Sequence, residues 1–233
     1  MKEFSIGVLG GMGTYATIHL FQQYAEIFPA EREWERPRIV IDNRCTMPSR
    51  VRAFLYNENV DRLVDEMSDS MQRLSDAGCN RIILACNTSH LFLPRIYDKV
   101  PDLEGKVVHI IHTCVARINE DNVKEVYLLG SEGTIESGIY QRELEKKGIE
   151  CIVPDRDEYG MLRECIEAVK QNKYTDVAEK AFLKLIDGHD NCILGCTELP
   201  IMYEKYKEKI PSKNIYDPLL LGLEKIRSEY IDD

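Results

Sequence analysis

The chain has 233 residues, 44% of them hydrophobic, and a formal net charge of −10 at pH 7. That length suits one large domain or two small ones, and that composition suits an ordinary globular protein. The acidic balance, with no basic stripe to oppose phosphates, excludes nucleic acid as the expected main partner. No apolar run approaches the roughly 20 residues that span a bilayer, so no membrane association is expected.

In chain order, residues 5–9 (SIGVL) read as a buried strand, GGMG as a turn, and 15–28 as a helix by periodicity. The N-terminus goes straight into that strand, unlike a signal peptide. Residues 38–42 (RIVID) predict a second strand, followed by a polar, Arg-rich connection over 43–57. Val60 to Ala77 is amphipathic, with Val60, Leu63, Val64, Met67, Met71 and Leu74 on one stripe and Gly78 as its stop. Strands are expected at 81–85, 107–111 and 126–130, then a single helix over 133–148 ended by Gly148, and a strand at 150–154. Helices at 158–171 and 174–187 precede a strand at 191–195, and Asp217-Pro218 opens the last helix. Strands alternating with helices predict a mostly parallel, doubly wound α/β architecture.

Two stretches repeat. ILACNT at 83–88 matches ILGCTE at 193–198, placing Cys86 and Cys196 110 residues apart, about half the chain. This predicts two similar α/β lobes, 1–105 plus 210–233 and 106–209, each presenting a thiol at the C-terminal end of a central strand. Ligands of open α/β sheets bind at that edge, so the active-site cleft is expected between the lobes.

Eight cysteines without an export signal predict free thiols and a cytoplasmic protein. Cys192 and Cys196 form a CxxxC pair, but along a strand that spacing is about 13 Å, too far to share an ion, and no metal site is expected. Cys79, Cys151, Cys165 and Cys192 sit among apolar or helical neighbours and read as small hydrophobes. Cys86 and Cys196 differ, because each precedes residues that open a helix, where backbone N–H groups favour a thiolate. Two such groups suit proton transfer on opposite faces of one carbon, one sulfur starting as base and the other as acid. Asn87, Thr88 and Thr197 stand where donors would stabilise charge developing on a carboxylate.

The chain resembles the aspartate/glutamate racemase family, which works without pyridoxal phosphate, and especially its aspartate-racemase branch. The resemblance runs nearly end to end through GVLGGMGTYAT, MPSR (47–50), LACNTSH, LLGSEGTIESGIY (128–140), IEAVKQNK (166–173) and LGCTELP. GCTE in place of GCTH points away from the glutamate racemases of cell-wall synthesis. The resemblance implies a cofactor-independent isomerase acting on an acidic amino acid, with Cys86 and Cys196 as the catalytic pair. It further implies that Arg50 and Lys170 grip the substrate's side-chain carboxylate. Asn87, Thr88, Thr197 and Glu198 fall at substrate-site positions, Met12 and Ser131 also match the pocket, and a homodimer is implied. Thr14-Tyr15, Arg44, Cys45, Ser49 and Val51 depart from the family's usual pattern beside these motifs, which leaves aspartate, glutamate or a less usual amino acid open.

Other readings compete. Taken alone, Lys170 is a solvated lysine at a helix end, and Arg50 is one of several arginines in a polar loop. His90 caps or packs, while His109 and His112 read as strand and strand-end residues. Gly11-Met12-Gly13-Thr14-Tyr15-Ala16 fits GxGxxA after a strand, so NAD(P) binding, with Asp42 on a ribose or Arg44 on a 2′-phosphate, is the chief enzyme alternative. Decarboxylases and cis–trans isomerases of the same superfamily are closer in fold, but the second cysteine with Arg50 and Lys170 favours racemization. A relative that retains binding without catalysis is the non-enzyme alternative.

Overall fold

Two parallel sheets stand side by side in the computed structural model, which describes residues 4–232. The first lobe begins with β1 (Ser5–Gly10), α1 (Thr14–Ile27), β2 (Arg38–Asn43), α2 (Arg50–Tyr56), α3 (Val60–Asp76), β3 (Arg81–Leu84) and α4 (Leu93–Lys99). The second follows with α5 (Ile110–Glu120), β4 (Glu125–Gly130), α6 (Glu132–Glu136), α7 (Ile139–Glu145), β5 (Glu150–Ile152), α8 (Tyr159–Lys170), α9 (Asp176–Ile186), β6 (Asn191–Gly195) and α10 (Leu199–Tyr206). The chain ends with β7 (Asn214–Tyr216) and α11 (Pro218–Asp232). The strand orders are β2-β1-β3 and β5-β4-β6-β7, every pairing parallel, as the β/α alternation predicts.

Buried strands explain this layering. All six residues of β1 are buried, so both faces of its sheet are covered by helices. Ile6 and Val8 join a core that continues through Ile83 into Leu128 and Ile193 of the second sheet. Leu9 instead packs with Leu63, Val64, Met67 and Met71 on the buried stripe of α3. Those four α3 side chains are fully buried, each stabilising the fold by about 1.5–3 kcal/mol. Gly78, at φ +91, ends this helix where its sequence places the stop.

Four local features differ from the sequence expectation. The run 107–111 is not a strand. Only Val107 bridges to Ile82, and α5 starts at Ile110 with the His109 ring accepting from His112 N as its cap. A short apolar run reads alike as a buried strand or a buried helix start, which also misplaced His109 and His112. The 43–57 connection contains α2, capped by the Ser49 hydroxyl accepting from Arg52 N. The single helix expected over 133–148 is two, α6 and α7, broken where Gly138 adopts φ +64. Finally, β7 pairs with β6, so residues 214–216, grouped by sequence with the first lobe, hydrogen-bond into the second sheet. Asp217 caps α11 as expected, its carboxylate accepting from Leu219 N at 2.9 Å. Among the described residues, no helix is long and apolar enough to cross a membrane.

Candidate active site

Parallel pairing aligns the strand exits. Leu9 of β1 lies beside Leu84 of β3, and Gly130 of β4 lies beside Gly195 of β6. The residues that follow these exits, Met12, Cys86, Ser131 and Cys196, therefore emerge at the C-terminal edges of the two sheets. They meet in one cavity of about 70 Å³, lined also by Arg50, Asn87, Thr88, Lys170, Thr197 and Glu198. Every residue that the family resemblance placed in the catalytic pair or the substrate site lies in that wall. Ser49 and Val51, noted there only as departures, line it too, as do Ile166 and Gly195. Ile166 stands in the IEAVKQNK motif four residues before Lys170, so helical spacing was the signal that would have found it.

Cys86 and Cys196 come from different lobes, and all eight cysteines are free thiols. The Cys196 thiol donates to Glu198 Oε2 at 3.0 Å. Burial first, then the Glu198 charge and that hydrogen bond, push the Cys196 pKa well above the usual thiol value, against the pull of Lys170. Glu198 is itself buried, which raises its carboxyl above the ordinary range although Lys170 and Cys196 oppose the rise. Its Oε1 has no hydrogen-bond partner. Lys170 sits at the last residue of α8 with Nζ 3.2 Å from Glu167. Burial alone would lower its pKa, but Glu198, Cys196 and Glu167 together hold it above the usual lysine value, so it stays charged.

Arg50 opens α2, and its guanidinium donates to Met12 O at 2.9 Å and Pro48 O at 3.0 Å, while its buried Nε is unpartnered. The Thr88 hydroxyl lies 3.0 Å from Ser131 Oγ and 2.9 Å from Thr134 Oγ1, a hydroxyl cluster joining the lobes. Thr197 Oγ1 reaches Ala85 O across the same boundary at 3.4 Å. His90 is buried, with Nδ1 on the carbonyls of Cys86 and Asn87, and burial lowers its pKa to about 4. It is a neutral packing residue behind the cysteine turn. Cys151 and Cys165, raised by burial to about 12, and Cys192, raised to about 11, are unreactive by the same cause. Cys192 Sγ lies 3.7 Å from His189 O, so the two sulfurs of the CxxxC pair address different partners.

The glycine pattern after β1 offers no phosphate cradle. A Cβ on Gly11 would strike the Arg44 backbone at 2.4–2.6 Å, and one on Gly13 would lie 2.2 Å from Glu198 Oε1. Both gaps are already filled by the protein. Arg44 is engaged by Asp69 at 2.5 Å and Glu66 at 3.5 Å. The cavity is also far smaller than a dinucleotide needs.

A sequence model described as Asp/Glu/Hydantoin racemase matches residues 9–226. The chain belongs to this family. It is 27% identical over 218 residues to the broad specificity amino-acid racemase RacX of Bacillus subtilis (strain 168), covering 88% of this chain and 90% of that protein. Its fold matches the Picrophilus torridus aspartate racemase with a TM-score of 0.81 at 25% identity, over 97% of this chain and 94% of that one. The glutamate racemase of Francisella tularensis in complex with D-glutamate matches with a TM-score of 0.68 at 20% identity, over 100% and 82% of the chains, a likeness of fold alone. As a member of this racemase family the enzyme is an isomerase with the two-lobed fold.

Proposed function

We propose that this racemase interconverts the L- and D-forms of an acidic amino acid, aspartate or glutamate, by proton transfer at Cα between Cys86 and Cys196. The observation that carries the reading is the meeting of one thiol from each lobe in a single small cavity with Arg50 and Lys170. Two cations against one buried carboxyl favour a substrate with an additional carboxylate. A thiolate removes the α-hydrogen from one face while the opposing thiol delivers its proton to the other, so the site ends with the roles exchanged. Burial and Glu198 hold Cys196 as a thiol at rest, so it begins as the acid for one enantiomer. For the other it begins as thiolate with Cys86 as the thiol, the state the first direction leaves behind, and Glu198 Oε2 is the hydrogen-bond acceptor beside its sulfur.

The charge that develops on the α-carboxylate needs fixed donors. The Asn87 amide nitrogen, buried without a partner, and the Thr88–Ser131–Thr134 hydroxyls supply them in this reading. The chain's own side chains thus hold and move both protons. We further read the protein as a cytoplasmic homodimer, from its free thiols and its family likeness.

Incubation with L-aspartate or L-glutamate in deuterated water, without added pyridoxal phosphate, tests the reading. Inversion with deuterium appearing at Cα is expected. Absence of wash-in from every proteinogenic amino acid would leave a binding protein without catalysis and overturn the proposal. Val51 and Ile166 add apolar surface to the cavity, and the RacX relative is broad in specificity. A screen that favours a neutral or basic amino acid would keep the two-thiol step and displace the acidic substrate.

A further inference from the structure

Tyr140 is the largest fully buried side chain among the described residues, and its hydroxyl donates to Asn87 Oδ1. Its ring also lies under the second cysteine loop, since a Cβ added to Gly195 would meet Tyr140 Cε2 at 3.5 Å. One phenol thus bonds to the residue after Cys86 and faces the residue before Cys196. The break between α6 and α7 puts it there. Gly138, in the left-handed region, separates the two helices, and Tyr140 falls in the first turn of α7.

We propose that Tyr140 is a positioning residue for catalysis: it holds the Asn87 amide with Oδ1 turned toward the phenol and the Nδ2 donors presented to the substrate's α-carboxylate. Asn87 lines the cavity and its Nδ2 has no partner, the state expected of a donor reserved for a ligand. An amide free to rotate would present an acceptor oxygen to that carboxylate half the time, opposing the charge it must stabilise. Tyr140 keeps the choice fixed because it remains a protonated donor. Burial, reinforced by Cys114, Asp217, Cys151 and Cys196, pushes its pKa well above the usual tyrosine value. The inference rests on the racemase reading for its substrate, but the amide orientation is a property of the protein alone.

Tyr140→Phe removes one oxygen and keeps the buried ring. Two readouts decide the case. In the substrate-free full-length protein, the side-chain amide signals of Asn87, assigned by their loss in Asn87→Ala, should move in Tyr140→Phe. Unchanged signals overturn the proposal, whatever the enzyme's substrate proves to be. In turnover, Tyr140→Phe should lower kcat/KM on the order of tenfold, the size of one hydrogen bond to a charged group. Tyr140→Phe combined with Asn87→Ala should lose no more than Asn87→Ala alone. Losses that multiply in the double variant would show that Tyr140 acts through packing and not through Asn87. If the wild type fails to racemize while the amide signals still move, the racemase reading fails and the positioning role stands.

Discussion

Glu198 Oε1 occupies the space where a side chain on Gly13 would begin, 2.2 Å from the ideal Cβ position. Gly13 has φ −164, an extended backbone that alanine adopts without strain. Gly13→Ala should therefore fold with near wild-type stability yet displace the carboxylate from Cys196. A loss in kcat of tenfold or more is expected, since Glu198 is the thiol's hydrogen-bond partner. Gly11→Ala should behave oppositely, because φ +80 and contact with the Arg44 backbone make it a folding defect of at least about 1 kcal/mol. Denaturant titration beside steady-state kinetics separates the two.

The two-thiol step predicts that Cys86→Ala and Cys196→Ala each reduce racemization by roughly 10²–10⁴-fold, the range of general acid–base contributions. Each variant should still exchange the α-hydrogen of one enantiomer, a different one for each, because one face keeps its base. Proton NMR in deuterated water follows this directly. Near wild-type racemization by both variants would remove the mechanism.

Arg50 has two tasks, since its guanidinium anchors Met12 O and Pro48 O as well as facing the cavity. Arg50→Lys should not rescue Arg50→Ala, because an ammonium lacks the planar fork that reaches both carbonyls and a carboxylate together. Lys170→Ala should raise KM for acidic substrates far more than for neutral ones. Equal losses for aspartate and alanine would count against a carboxylate clamp.

Burial holds the Glu198 carboxyl above its ordinary value. The folded protein therefore keeps a proton that the unfolded chain has released once pH passes the usual glutamate range. Stability from this group is complete at acid pH and is lost as pH rises through the folded value. Glu198→Gln cannot ionise, so its advantage over wild type should grow between pH 5 and pH 8, by about 1.4 kcal/mol for each pKa unit of elevation. Denaturant midpoints at the two pH values give the answer, and an advantage that shrinks at pH 8 would mean the carboxyl is not raised.

Much of the site was legible because its residues sit beside strand exits in recognisable motifs. Cys86 and Cys196 stood out by the ILACNT and ILGCTE repeat, and the cavity contains both. What stayed hidden depended on contacts between distant segments. Residues 107–111 carry the same apolar signal as a strand, yet their pairing with β3 is limited to one bridge, Val107 to Ile82, before α5 begins. The seven residues of α2 and the three of β7 are too short for periodicity to register. Tyr140 lay within a motif read as one helix, and the break that carries it to Asn87 falls at Gly138, where φ is +64.

Sequence alone determined the alternation of strands and helices, the two thiols and the basic residues that accompany them, because hydrophobic period and strand-end position are local properties of the chain. Only the tertiary structure decided that Glu198 takes the space beside Gly13, that Thr88 meets Ser131 across the lobes, and that Tyr140 reaches Asn87. Those pairings join residues separated by 185, 43 and 53 positions, and at such separations partners are selected by close packing and by the need of buried polar atoms for a hydrogen bond, neither of which is written in any one segment.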